Sequence, residues 1–511
     1  MDFKSFFLNR KQHVAAFLSV FFWGIFAHGF MFLNKLSFHD DIGNFGVGNT
    51  WTQGRWMLGV LGIFNKALFG THNFSTPWFE GLLSLLILGL SSALLIEIFE
   101  IKDKKTAILL GAVMASFPVI TAFFGYMFTA WYYMIALFLC VLSAFLFCRC
   151  TSVWTWLGGG VAFTCAMGIY QAFIPFELSL LVLYMMKDVY KNDRSWKEYF
   201  VKAAYYAGSC LLSFIAYFLI EKFFLTITHH TMSTYKGMDG FGVTSVSGYL
   251  ARILLAYKQF FLQDAPFTYS MLPTLPVRIA YLLLLLSGLL LVLSALYELL
   301  RQKKTVRFIQ TAILLLLFPF TVKFILVMVP ESVISSLMVY ADILPVFFVL
   351  LLLEEKERTF VRLQKVCGVI SCILILYMSV FYTRYANICY FKLQFQQEEA
   401  KSFFTTLSTR IQSLDGYSDK MPVAFLNTKQ KKADYLPDVP EWAFVNTTFF
   451  SQKNLLNDYN WDYFMKFWCG YEPVQVEDTR EFEEMESVRN MPSYPADASI
   501  AIVNNTIVVK F

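Results

Sequence analysis

Charge is scarce in this sequence. Only 15% of the 511 residues are Asp, Glu, Lys or Arg, against 57% hydrophobic and 18% aromatic, and the mean hydropathy is +0.53. A soluble domain carries about a quarter of its residues as charges, so this chain could not cover a soluble surface with polar groups. The 42 basic and 37 acidic residues leave a net +5, too little to argue for nucleic acid. The nine cysteines show no metal-ligand spacing. Cys140, Cys148, Cys150, Cys165, Cys210, Cys367 and Cys372 fall in or near apolar runs, where Cys is a small apolar filler. Only Cys389 and Cys469 lie in the C-terminal region, where a disulfide between them is conceivable. An internal repeat, common in transporters, is also missing.

What is abundant is apolar runs of about twenty residues, the length of a helix across the hydrocarbon core. They occupy 14–33, 78–99, 106–125, 127–148, 153–171, 173–190, 201–224, 277–298, 308–328, 338–354 and 365–384. The chain therefore reads as an α-helical polytopic membrane protein with about eleven transmembrane helices. The first run follows Lys4, Arg10 and Lys11 and reads as a retained signal anchor with a cytoplasmic N-terminus. Alternate loops then collect the basic residues: Lys102, Lys104 and Lys105, then Arg149, then Lys187, Lys191, Arg194 and Lys197, then Arg301, Lys303, Lys304 and Arg307, then Lys356, Arg358, Arg362 and Lys365. By the positive-inside rule these loops face the cytoplasm. An odd number of spans places the region from 386 onward outside.

Two long segments on the outer side, 34–77 and 225–276, do not read as linkers. Each contains an amphipathic stretch, Trp56–Phe69 and Tyr249–Leu262, with the pattern of a helix lying in the interface plane. After the membrane region, 1–385, the C-terminal region 386–511 opens as a polar helix. It continues with strand-like runs at Pro422–Leu426 and Ile500–Val509, the pattern of a small extracytoplasmic α/β domain.

The candidate chemistry gathers on the outer side. His39-Asp40-Asp41 follows the first span by about six residues. Two adjacent carboxylates near the hydrocarbon edge need solvent, hydrogen bonds or cations, and are either a solvated loop or a general base. Gly54-Arg55-Trp56 enters the first interfacial stretch. There an arginine fork and free helix N–H groups can bind phosphate, or the pair can serve as an interfacial anchor. Tyr170 and Gln171, in Gly168-Ile169-Tyr170-Gln171-Ala172, either hydrogen-bond between helices or face a polar cavity. Lys236, Arg252, Lys258 and Lys323 are further outer cations suited to a lipid phosphate or to headgroups. The neighbours His229 and His230 lack a carboxylate or Cys partner, and no metal or other cofactor is expected.

The Asp40-Asp41 pair, the Gly54-Arg55-Trp56 that follows it and the Gly168-Ile169-Tyr170-Gln171-Ala172 turn, in that order on one face, resemble the GtrII-like bacterial glucosyltransferases, polytopic enzymes of the GT-C type. The resemblance implies transfer of glucose from a polyprenyl-phosphate donor to a surface polysaccharide such as O antigen at the outer face of the cytoplasmic membrane. A lipid-sugar synthase and a flippase would act before it. It further implies Asp40 or Asp41 as general base and Arg55, with Lys236, Arg252 and Lys258, at the donor phosphate. Tyr170, Gln171, Trp131 and His39 would contact sugar. Thr129-Ala130-Trp131-Tyr132 departs from the polar pattern expected of the family there, and Trp131 is suited to stack on a sugar ring. A lipid-sugar flippase or transporter, or a polysaccharide polymerase or ligase, is the competing reading.

Overall fold

The computed structural model describes residues 10–37, 39–42, 50–70, 75–233, 245–262, 271–329, 334–354, 360–427 and 461–511. Of these, 10–34 and 50–387 form one compact unit, and 35–42 with the residues from 388 onward form a second.

The first unit is helical: α1 Lys11–Leu33, α2 Trp56–Phe69, α3 Pro77–Phe99, α4 Lys104–Ser116, α5 Pro118–Gly125, α6 Met127–Arg149, α7 Val153–Ile169, α8 Ile174–Lys191, α9 Trp196–Ile227, α10 Val246–Leu262, α11 Leu275–Arg301, α12 Thr305–Val322, α13 Leu344–Glu354 and the first half of α14 Val361–Gln412. Helix α1 packs on α3 and α4, α3 on α6, and α6 on α7. Helix α7 also packs on α2 and α9, while α8 packs on α12. The boundaries have local causes. Asp103 and Ser152 cap α4 and α7, and a Ser195–Glu198 capping box opens α9. Pro118 has no N–H to continue α4 and starts α5 at its first position.

Among the described residues, eight helical segments are long and apolar enough to cross a bilayer: α1, α3, α4 with α5, α6, α9, α11, α12 and α14. The other three expected spans are helices that fall short of that standard. Helix α7 has 17 residues, α13 has 11, and α8 carries Glu177, Lys187, Asp188 and Lys191. The described part of α13 begins only at Leu344 because Tyr340–Ile343 wind as a 3-10 turn.

Helix α9 is apolar outside and polar inside. Its buried stripe is Tyr199, Tyr206, Ser209, Cys210, Ser213, Tyr217 and Glu221, whereas Leu211, Leu212, Ile215, Leu219 and Phe223 are exposed. A bilayer favours this arrangement, because lipid solvates the aliphatic side chains and polar groups are satisfied between helices. Trp156 donates to Ser209 Oγ (2.8 Å) and Thr164 to the Ser213 carbonyl (3.1 Å).

At one end of the unit the loops are laced by ion pairs. Arg10 meets Glu97 at 2.9 Å, and Glu100 takes Arg149 at 2.6 Å and Lys187 at 3.1 Å. Asp188 takes Arg194 and Lys202, and Asp193 takes Arg307. The described basic residues of these loops thus share one end of the bundle, while Lys356 and Arg358 lie outside the described residues. The start of α2, the end of α7 and the end of α9 lie at the other.

In the second unit, the sheet runs β2 (Val474–Gln475), β1 (Pro422–Leu426), β4 (Thr506–Lys510), β3 (Ile500–Val503), with β1 parallel to both neighbours and β3 antiparallel to β4. Ala424, Leu426, Phe482, Val488 and Val508 form a core beside it. The expected strand 500–509 is a hairpin, turned by Asn504 and Asn505 at φ 49° and 58°, the backbone of a two-residue type I′ connection. Neither Cys389 nor Cys469 is in a disulfide, so the bridge allowed by the sequence is absent. The reason is geometric. Cys469 Sγ accepts from Thr405 (3.7 Å), sixteen residues along α14 from Cys389, which is about 24 Å of helix.

Candidate active site

The start of α2 is built by three elements. Gly54, at φ 69°, ends a 3-10 turn (Trp51–Gln53) in a left-handed conformation that costs glycine little. The loop it turns is clamped from below: Gln171 Nε2 donates to the carbonyls of Gln53 (3.0 Å) and Gly54 (2.9 Å) and to Tyr217 Oη (2.8 Å), and the Tyr217 hydroxyl donates to the same Gly54 carbonyl (2.8 Å). Gly168 lets α7 approach, since a Cβ there would lie 2.5 Å from the Trp56 ring. Trp51 and Trp56 each stack on Phe224 of α9, at 4.8 and 5.9 Å.

Arg55 emerges from this platform. Its guanidinium lies over the Tyr170 ring at 5.1 Å, and Tyr170 is backed by Tyr133 at 4.8 Å and Phe173 at 5.9 Å. The Arg55 side chain has no ion pair or hydrogen bond among the described residues, and its Nε is buried without a partner. No side chain caps α2. A stacked cation beside uncapped helix N–H groups attracts an anion, most strongly one with several acceptor oxygens.

The structure thus brings Arg55, Tyr170 and Gln171 together. Gln171 uses its amide nitrogen on the loop, which makes it the part that positions Arg55. Trp131, on α6, packs its ring against Tyr132 at 3.9 Å, while Tyr133 reaches Tyr170. Arg252 and Lys258 lie on α10, whose main partner is α12. Lys323 is buried in an ion pair with Asp342 (2.8 Å). Lys236 and the side chain of His39 lie outside the described residues. In the second unit, His39–Asp41 form a 3-10 turn. Asp41 is buried and ion-paired to Lys35 Nζ at 2.7 Å, while Asp40 is half-buried.

Tyr217 and Glu221 are site residues that the sequence reading passed over, because both sit inside an apolar run that reads as membrane span. The available signal was a carboxylate four residues from a tyrosine near the end of that run, one face of a helix.

A family model described as Glucosyl transferase GtrII matches residues 29–346, more than half of the chain and all of the residues around Arg55. The chain belongs to the GtrII glucosyltransferase family. No curated protein and no solved structure matches it. The matched region of this glucosyltransferase includes Asp40, Asp41, Arg55, Tyr170, Gln171 and Tyr217, and it ends before α14 and the C-terminal sheet.

Proposed function

We propose that this GtrII glucosyltransferase is a GT-C type enzyme that moves glucose from a polyprenyl-phosphate donor to a surface polysaccharide, such as O antigen, at the outer face of the bacterial cytoplasmic membrane. The observation that carries the reading is Arg55: a cation with no ion pair among the described residues, on a loop held by Gln171 and Tyr217 and stacked on Tyr170, at the end of the bundle opposite the basic loops. The positive-inside rule puts those loops in the cytoplasm, hence Arg55 outside. A lipid-sugar synthase and a flippase supply the donor there.

The acceptor oxygen attacks the anomeric carbon as the bond from that carbon to the phosphate oxygen breaks, which inverts the configuration. The acceptor proton passes to a carboxylate of the Asp40–Asp41 pair, and the bonding electrons leave with the lipid phosphate. Asp41 is engaged by Lys35 and shielded, and Asp40 is the more accessible, which favours Asp40 as base. A leaving phosphate is already a good anion, so catalysis lies mainly in positioning and in stabilising developing charge.

The test is the surface polysaccharide of cells with and without the gene. Loss of a glucose side branch from an intact backbone supports the reading, whereas shortened chains indicate a polymerase. Asp40→Asn is expected to abolish transfer with folding and donor binding intact, and Asp41→Asn to lower it less. Full activity in both variants removes the base assignment.

A further inference from the structure

Beside the loop that carries Arg55 lies a buried carboxyl. Glu221 is 1% exposed, and neither oxygen of its carboxyl has a hydrogen-bond partner. The Gly54 amide faces it as a donor while also donating to the Trp51 carbonyl (3.4 Å). Tyr217, one helical turn earlier, is within electrostatic reach of both Glu221 and Arg55. Thr50 Oγ1 and Trp56 Nε1, on the same short segment, are also buried without partners. Such groups are rare in folded proteins, and each calls for an explanation. Here they gather around one loop.

Gln171 and Tyr217 hold the Gly54 carbonyl, and the Gly54 amide that faces Glu221 fills at most one of the several acceptor sites of a carboxylate. What a carboxylate lacks is a donor. A phosphate diester offers none and would be repelled, whereas sugar hydroxyls are donors. Arg55 and Glu221 therefore suit the two ends of one glycosyl phosphate, the guanidinium its phosphate and the carboxyl its hydroxyls.

We propose that Glu221 is a sugar-binding residue of this site, accepting hydroxyl hydrogens from the glucosyl group of the donor while Arg55 takes its phosphate. This rests on the donor class proposed above and adds how the sugar is chosen. Sites built to hydrogen-bond a hydroxyl reject analogues lacking it, because their own polar groups are then left unpaired.

The experiment uses the full chain in lipid nanodiscs, with lipid-phosphate glucose and analogues each lacking one hydroxyl. The wild type should prefer the complete donor over at least one analogue by about 100-fold, since hydrogen bonds to charged groups are the strong ones. In Glu221→Gln that preference should fall at least tenfold, with transfer from the analogue itself little changed. A structural role would instead lower all donors together, and that result, or unchanged discrimination at every hydroxyl, overturns the proposal. Should Glu221→Gln not fold, judged by thermal unfolding, Glu221→Asp keeps the charge but withdraws it by one methylene and must also shift the discrimination. A second readout separates the two proposals: calorimetric binding of glucose 1-phosphate and of inorganic phosphate. If the wild type uses no lipid-phosphate donor yet prefers glucose 1-phosphate, and Glu221→Gln loses only that preference, the donor class fails and the Glu221 assignment stands. If the wild type shows no preference between the two, Glu221 is not a sugar site.

Discussion

Arg55, on which the proposed function rests, is a side chain whose local interactions are few. It stacks on Tyr170 and otherwise makes no ion pair or hydrogen bond among the described residues, so truncating it removes about 0.5–1 kcal/mol of cation–π attraction. Arg55→Ala should therefore leave the thermal unfolding midpoint nearly unchanged while transfer collapses. Arg55→Lys keeps the charge but loses the planar fork, and a rise of about tenfold in donor KM is expected, about 1.4 kcal/mol of binding. A large fall in the midpoint with an unchanged KM would show that the guanidinium is structural. At the opposite end, Glu100 gives a pH test. Burial opposes its ionisation, but hydrogen bonds from Arg149 and Lys187 outweigh this and hold its carboxyl down to about 2. A carboxyl depressed in the folded state adds stability above the ordinary glutamate range, lost as pH falls through the folded value. Glu100→Gln should thus cost stability at pH 6, and the difference from wild type should narrow toward pH 3.

Among elements, the contact between α7 and α2 decides where Arg55 stands. In a free helix Gly→Ala gains about 1 kcal/mol. At Gly168 the new Cβ would meet the Trp56 ring at 2.5 Å, and overpacking of this kind costs about 1–3 kcal/mol. Gly168→Ala should therefore destabilise the protein and displace α2, lowering transfer beyond its effect on stability. Equal or higher stability with full activity would mean that Trp56 moves freely. Helix α9 is the other deciding element. Its polar stripe carries Tyr217 to the Gly54 carbonyl and Glu221 beside it, while its apolar side faces outward. An apolar average over the run conceals both residues.

For the whole molecule, the two ends of the helical unit differ in how their charges are satisfied. One is laced with ion pairs around Glu97, Glu100 and Asp188. The other presents Arg55, which has no ion pair among the described residues. Thiol labelling tests the orientation: in a cysteine-free background, an impermeant reagent should reach Ser233→Cys in intact spheroplasts and Ser152→Cys only after permeabilisation. Labelling of both from one side would overturn the assignment. The membrane class, the grouping of the basic loops and the bounds of Trp56–Phe69 and Pro422–Leu426 were legible in the sequence, because apolar length, charge bias and short-range periodicity are local properties. The runs at 153–171, 173–190 and 338–354 are helical over 153–169, 174–191 and 344–354, and hydropathy does not register the 3-10 turn before α13. The hairpin at Asn504–Asn505 was read as one strand, although adjacent asparagines favour left-handed backbone. The sequence by itself determined that the chain lives in lipid and where its charges are concentrated. Only the tertiary structure decided that Gln171 and Tyr217 hold the Arg55 loop and that Glu221 stands beside it. Those contacts join residues more than a hundred positions apart, and helix packing rather than local pattern brings them together.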